Sequence, residues 1–273
     1  MKIKINKKGG YLQISFAWIF ALIVGALILF LAIFAVMKII GLGEKKTDTE
    51  TARKIGDLLS PLETNFESLR ATTLDVNAET RIYNDCSENG NFGTQKIRVS
   101  QKSFNKWTDT NVGVSFLNKY LFSSDYVEGK KFIMISVPFE YPFRIASLII
   151  LKQLNKNYCF ISAPEEVEND IFNLEEKGIY LGAENCTENS IRVCFNSGSV
   201  GRDCDIYVNY DNAEGYVKKG NEQMHFYGNG LMYGAIFSDA KIYECQLKRL
   251  MKRTKELSLI YQEKASFVAQ KEC

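Results

Sequence analysis

Between Gly9 and Met37 the chain has no charged side chain, and Ile14–Met37 (ISFAWIFALIVGALILFLAIFAVM) is almost wholly apolar, interrupted only by Ser15 and Gly25. At 1.5 Å per residue, about 20 residues cross a hydrocarbon core roughly 30 Å thick, so this run can span a bilayer with some tilt. The apolar core of a secretory signal is shorter, about 7–15 residues, and ends at a small-residue cleavage site. A core helix of a soluble domain at this length would keep a polar face. The run therefore predicts a transmembrane helix over 14–40, with Trp18 near one interface and Lys38 able to snorkel at the other. The bilayer is the first expected partner, through residues 14–40.

Charge sets the next limit. The chain has 34 basic and 32 acidic side chains, yet residues 1–43 hold five lysines and no acid. Removing those five leaves 29 basic against 32 acidic residues, a net charge of −3 for 44–273. A near-neutral body argues against a nucleic-acid partner, which needs a strong positive field to release counterions. Lysine and arginine balance across the span, with Lys2, Lys4, Lys7 and Lys8 facing Lys45, Lys46, Arg53 and Lys54. Two features break the tie. All seven cysteines follow the span, and Asn185-Cys186-Thr187 is an N-glycosylation acceptor pattern. The expectation is a single-pass cell-membrane protein with tail 1–13 in the cytoplasm and the C-terminal domain outside.

Lys7-Lys8-Gly9-Gly10, then Gln13-Ile14-Ser15-Phe16 and the apolar run, resembles the N-terminus of archaeal type IV pilins and pilin-like proteins. The resemblance covers about forty residues. It implies a basic leader cut after a glycine and a helix that continues into a head domain. The wider layout is similar to that of membrane-anchored archaeal proteins with a cysteine-bearing head.

Beyond the span, Gly41–Thr51 is polar and punctuated by glycine, which predicts a linker over 41–51 and a break in the helix at Gly41-Leu42-Gly43. Residues 52–79 read as an amphipathic helical segment, with Ile55, Leu58, Leu59, Leu62, Phe66 and Leu69 at helical spacing and a capping box at Ser60–Glu63. Residues 80–273 read as an α/β or α+β extracytoplasmic domain with a mixed sheet. Within it, 80–105 predicts strands around a loop, and Lys131–Val137 a further strand. Phe143–Leu154 reads as a buried helix, Asn157–Ser162 as a strand and Pro164–Leu174 as a helix, so that with the strand at Lys131–Val137 the order predicts a βαβ crossover and a partly parallel sheet. Ile191–Phe195 and Asp205–Tyr210 predict an antiparallel pair, and Gly215–Lys219 with Glu222–Tyr227 a hairpin. One long helix is expected from about Leu231 to Cys273.

The cysteines are the strongest chemical signal. Outside the cytoplasm they point to disulfides, and no C-x-x-C spacing occurs to suggest zinc, thioredoxin or haem chemistry. Cys194 and Cys204 flank a nine-residue loop and form the best single pair; closing it contributes roughly 2–3 kcal/mol. Cys86, Cys159, Cys186 and Cys245 supply two more bridges of undetermined connectivity, and Cys273 is left over.

Other patterns read more blandly. Gly228-x-Gly230-x-x-x-Gly234 lies between a strand and a helix, but its spacing fits a tight turn better than a dinucleotide loop. Asp203, Asp205, Asn209, Asp211, Asn212 and Glu214 are rich in oxygen, yet match no EF-hand and read as a solvated face. Lys248, Arg249, Lys252, Arg253 and Lys255 read as the exposed side of a half-buried helix. His225, the one histidine, sits in a strand, and Ser197–Gly201 is not a nucleophile elbow.

No catalytic, cofactor-binding or metal-binding residue is expected, so the first functional expectation is a non-enzymatic structural or interaction role through self-association or a surface-protein partner. A processed pilin-like subunit is the second. An extracytoplasmic enzyme is the third, recognisable by a pocket with converging acids.

Overall fold

A computed structural model describes residues 16–59, 69–103, 105–108, 113–174, 178–196 and 204–270. The basic tail, Gln13–Ser15, the capping box Ser60–Glu63, Ser197–Gly201, Asp203 and Cys273 lie outside these residues, as do the side chains of Ile55, Leu58 and Leu59. The chain divides into two compact units, Met1–Lys46 and Thr47–Cys273.

Helix α1 spans Phe16–Leu59. Its Ala17–Ile39 portion is long and apolar enough to cross a membrane, with a mean hydropathy of 3.2 and no residue buried in the protein. The helix does not break at Gly41-Leu42-Gly43 as expected. Each helical glycine costs only about 1 kcal/mol, whereas restarting a helix beyond a gap requires a new, unfavourable nucleus. The second departure begins at Arg70, where the predicted helical segment gives way to strand β1 (Arg70–Ser87). Thr72, Thr73 and Val76 are β-branched and favour that conformation.

The body contains two sheets. The first also holds β2 (Thr94–Ser103), β3 (Lys106–Trp107), β4 (Gly113–Phe116), β5 (Tyr120–Phe122), β6 (Tyr126–Glu140) and β7 (Arg144–Gln153), in the order β3-β2-β1-β6-β7-β5 with β4 also on β2. Its pairs are antiparallel except β5 with β7. The second comprises β8 (Tyr158–Ile161), β9 (Ile179–Leu181), β10 (Ile191–Phe195), β11 (Ile206–Asp211), β12 (Glu214–Lys219) and β13 (Glu222–Tyr227), ordered β13-β12-β11-β10-β8-β9.

Residues 144–153 form β7 rather than the expected helix. The reason is burial of both faces: Ile145, Leu148 and Ile150 join one core cluster, while Ile149 and Leu151 join another. A strand covered on both sides loses its polar alternation and reads like a buried helix. The βαβ unit therefore falls one step later, as β8, helix α2 (Glu165–Leu174) and β9, with β8 and β9 parallel.

Strands β10 and β11 are parallel, not antiparallel, pairing Val193 with Ile206 and Phe195 with Val208. The glycine-rich composition marked a loop but not its direction. Ten residues reach about 35 Å when extended, ample to return along so short a pairing. The β12–β13 hairpin is as expected, with Val217 opposite Met224.

The C-terminal helical pattern is two helices, α3 (Asn229–Phe237) and α4 (Ala240–Gln270). At the break, the Ser238 hydroxyl donates to Gly234 O at 2.5 Å, Lys219 Nζ donates to Ser238 O at 2.6 Å, and the Asp239 carboxylate accepts from the Asp125 amide at 2.8 Å. Lys219 Nζ on Ser238 O and Ser123 O on the Asp239 amide take up backbone groups that a continuous helix would pair internally. Helix α3 is buried throughout Gly230–Phe237 and contacts β5, β6 and β7 of one sheet and β12 and β13 of the other. It is the filling between them. Gly234 permits that closeness, because a Cβ there would meet the Phe122 ring at 2.8 Å.

Candidate functional site

The turn from β13 into α3 places Gly228 at φ 82°, a conformation that favours glycine. Gly228, Asn229 and Gly230 then line a pocket of about 480 Å³ together with Leu69, Val137, Pro138, Phe139, Glu140, Asp170 and Ala213. Volumes of this order are typical of ligand sites. The glycine motif thus shapes a strand-to-helix turn, and the turn forms one wall of the pocket.

Helix α2 supplies Asp170, one of two acids lining the pocket, the other being Glu140 of β6. Val167, Ile171 and Leu174 are buried, and Glu166 and Asp170 are four residues apart, one turn along the same helix. Asp170 Oδ2 accepts from Tyr233 Oη at 2.9 Å and from Asn229 Nδ2 at 3.5 Å. Tyr210 Oη lies 3.0 Å from Glu166 Oε2 and 2.9 Å from Asn229 Oδ1. Burial raises the Asp170 carboxyl above the ordinary carboxylate range against the opposing pull of its two donors. Burial and Glu166 push the Tyr210 phenol up to about 12, and burial with Asp170 lifts Tyr233 well above its usual value. Both phenols remain donors at neutral pH. The arrangement presents carboxylate oxygens that can accept donors from a polar ligand.

Asn229 and Tyr233 lie within the glycine motif and Glu166 and Asp170 within the helix expected at Pro164–Leu174, but no sequence pattern gave any of them, or Tyr210, a site role. They come from α2, β11 and α3, and the one local signal was the glycine turn at Gly228–Gly230.

The cysteines form Cys194–Cys204, Cys86–Cys245 and Cys159–Cys186. Asn185 is exposed in a short 3₁₀ turn, with Nδ2 donating to Leu181 O at 2.7 Å. His225 is exposed, lies 3.1 Å from Gln223 Nε2, and is not among the residues lining the pocket. In the oxygen-rich stretch, Asp205 Oδ2 accepts the Arg192 amide at 2.8 Å. Among the described residues no group of three or more acidic, cysteine or histidine side chains is arranged to hold a metal ion.

The basic cluster on α4 differs from the expected solvated face. Arg249 is fully buried, Arg253 Nε donates to Ile145 O at 2.8 Å, and Lys252 Nζ donates to Glu88 O and Gly90 O at 2.5 and 3.0 Å. Lys248, pairing with Glu244 at 2.9 Å, and Lys255 are the solvated members. Arg249, Lys252 and Arg253 tie α4 to strands and loops far away in sequence. Backbone carbonyls are the acceptors, so no acidic side chain in the chain announces the contacts.

No family model, curated protein sequence or solved structure matches this chain.

Proposed function

We propose that this chain is a membrane-anchored surface protein, single-pass through residues 14–40, whose disulfide-bearing body lies outside the cytoplasm and serves a non-enzymatic structural or interaction role. The observation that carries the reading is the combination of an uncovered 23-residue apolar helix with three disulfides in the body that follows. Apolar surface on that scale needs a lipid or protein cover, and disulfides persist in oxidising compartments. The experiment is protease treatment of intact cells. The body is expected to be cut from outside while the protein stays with carbonate-washed membranes; full protection of the body until the cells are lysed contradicts the reading.

One observation favours the pilin-like reading as a second choice. Helix α1 runs unbroken from the apolar segment to Leu59, the continuity that the N-terminal resemblance implies. In this reading the leader is removed at Gly9 or Gly10 and copies assemble through the apolar helix. A mature N-terminus at Met1 or Lys2 contradicts it.

A further inference from the structure

A second concavity, of about 380 Å³, opens where β1 and the start of β6 meet the first turns of α4. Its base is rigid. Cys86 on β1 is bonded to Cys245 on α4, and Asn84 Nδ2 donates to Leu121 O at 3.0 Å and Ser123 Oγ at 2.8 Å. Its walls carry Asp85, Asp125, Arg98 and Lys241, whose formal charges cancel. Arg98 is fixed against Asp85 by two bonds, Nε to Oδ2 at 2.5 Å and Nη2 to Oδ1 at 3.0 Å. Its guanidinium lies 4.8 Å from the centre of the Tyr83 ring. Tyr126 is half-exposed and tilts against Tyr83 with centroids 5.9 Å apart; Arg81, paired with Glu128, lies 5.2 Å from its ring centre.

These groups select a ligand chemistry. Balanced charge gives no net field to draw in a phosphate or a free cation. A guanidinium doubly bonded to a carboxylate offers donors and acceptors side by side, and two neighbouring hydroxyls answer both, one accepting from Arg98 and the other donating to Asp85. The exposed part of the Tyr126 ring offers an apolar surface to C–H groups. A ligand with adjacent hydroxyls, a C–H face and no charge is a sugar ring. We infer that this cleft binds a neutral carbohydrate, with the ring against Tyr126 and vicinal hydroxyls on the Asp85–Arg98 pair. The disulfide and the stacked side chains hold that geometry before the ligand arrives, which lowers the ordering cost of binding. The inference deepens the surface role proposed above by naming its partner class, and rests on that role only for where the sugar is met.

The test is saturation-transfer NMR on the full chain in phospholipid nanodiscs, since detergents with sugar heads would compete. The probes are neutral hexasaccharides of glucose, mannose, galactose and N-acetylglucosamine, beside a sulfated hexasaccharide. Saturable transfer to a neutral probe is expected, unchanged in about 0.5 M salt, where the Debye length falls to a few ångströms. Tyr126→Ala and Asp85→Asn should each weaken it about tenfold. Tyr141→Ala, which removes a similarly exposed tyrosine outside this cleft, should leave binding unchanged. Thermal melting checks that each variant is folded. No transfer to any neutral probe at about 10 mM, a Kd range weaker than specific recognition, overturns the inference. So does binding that survives both cleft substitutions, or binding to the sulfated probe alone that salt abolishes. Sugar binding with a cytoplasmic body would sink the surface role and leave the cleft standing; an outside body with no sugar binding would do the reverse.

Discussion

Replacing Arg249 with methionine should cost about 3–5 kcal/mol of stability, because it removes the charge but leaves buried, mostly main-chain acceptors without a donor. The guanidinium is fully buried, and its hydrogen-bond partners among the described residues are neutral. Nη1 donates to Lys119 O at 2.8 Å and Gln246 Oε1 at 2.7 Å, Nη2 to Leu117 O at 3.0 Å and Phe116 O at 3.5 Å, and Nε to Phe92 O at 3.2 Å. The two bonds through Nη1 are wholly buried, and each acceptor left unpaired there costs about 1–3 kcal/mol. The remaining three carbonyls lie nearer solvent and add less. Relief of the guanidinium's own desolvation, which lowers its pKa, offsets part of the loss. For a body of this size the expected drop in Tm is on the order of 10 °C. Arg249→Lys keeps the charge but offers three donors from one atom in place of five in a plane, and should lose about 2 kcal/mol. Melting of the full chain, with hydrogen exchange at the amides of 92 and 116–121, reads both effects. A methionine variant melting within about 2 °C of the parent, with exchange unchanged, would refute the reasoning.

Two further outcomes follow from the body. Cys86–Cys245 spans 159 positions and Cys194–Cys204 spans 10, so loop entropy gives contributions of about 5 and about 3 kcal/mol; the Cys86→Ser/Cys245→Ser double variant should be the less stable on melting, and the reverse order contradicts the argument. Asp170, with its folded-state pKa raised chiefly by burial, favours folding while protonated, and that contribution is lost as pH rises from the unfolded carboxyl value through the folded one. Asp170→Asn should therefore gain stability over the parent as pH rises through the carboxylate range, and equal melting profiles across pH would contradict the shift.

What could be read from the chain followed the reach of each interaction. The apolar span, the β12–β13 hairpin and the acid-led α2 rest on local patterns and were legible as such. The identity of β7 was not, because its two apolar faces are set by which layers cover them. Arg249 looked like part of a solvated run because its acceptors are carbonyls more than 120 positions away, except the Gln246 side chain one turn back. The pocket at Asp170 needed α2, β11 and α3 brought together, and of these only the glycine turn at Gly228–Gly230 is marked by a local pattern. At Gly41-Leu42-Gly43 residue propensity pointed one way and helix cooperativity the other, and cooperativity won.

The central claim, an anchored chain with its body in an oxidising compartment, is tested most directly by intact mass of the membrane-extracted protein alkylated with and without prior reduction. The six paired cysteines should label only after reduction. Labelling of all of them without reduction would place the body in a reducing compartment and contradict the surface role.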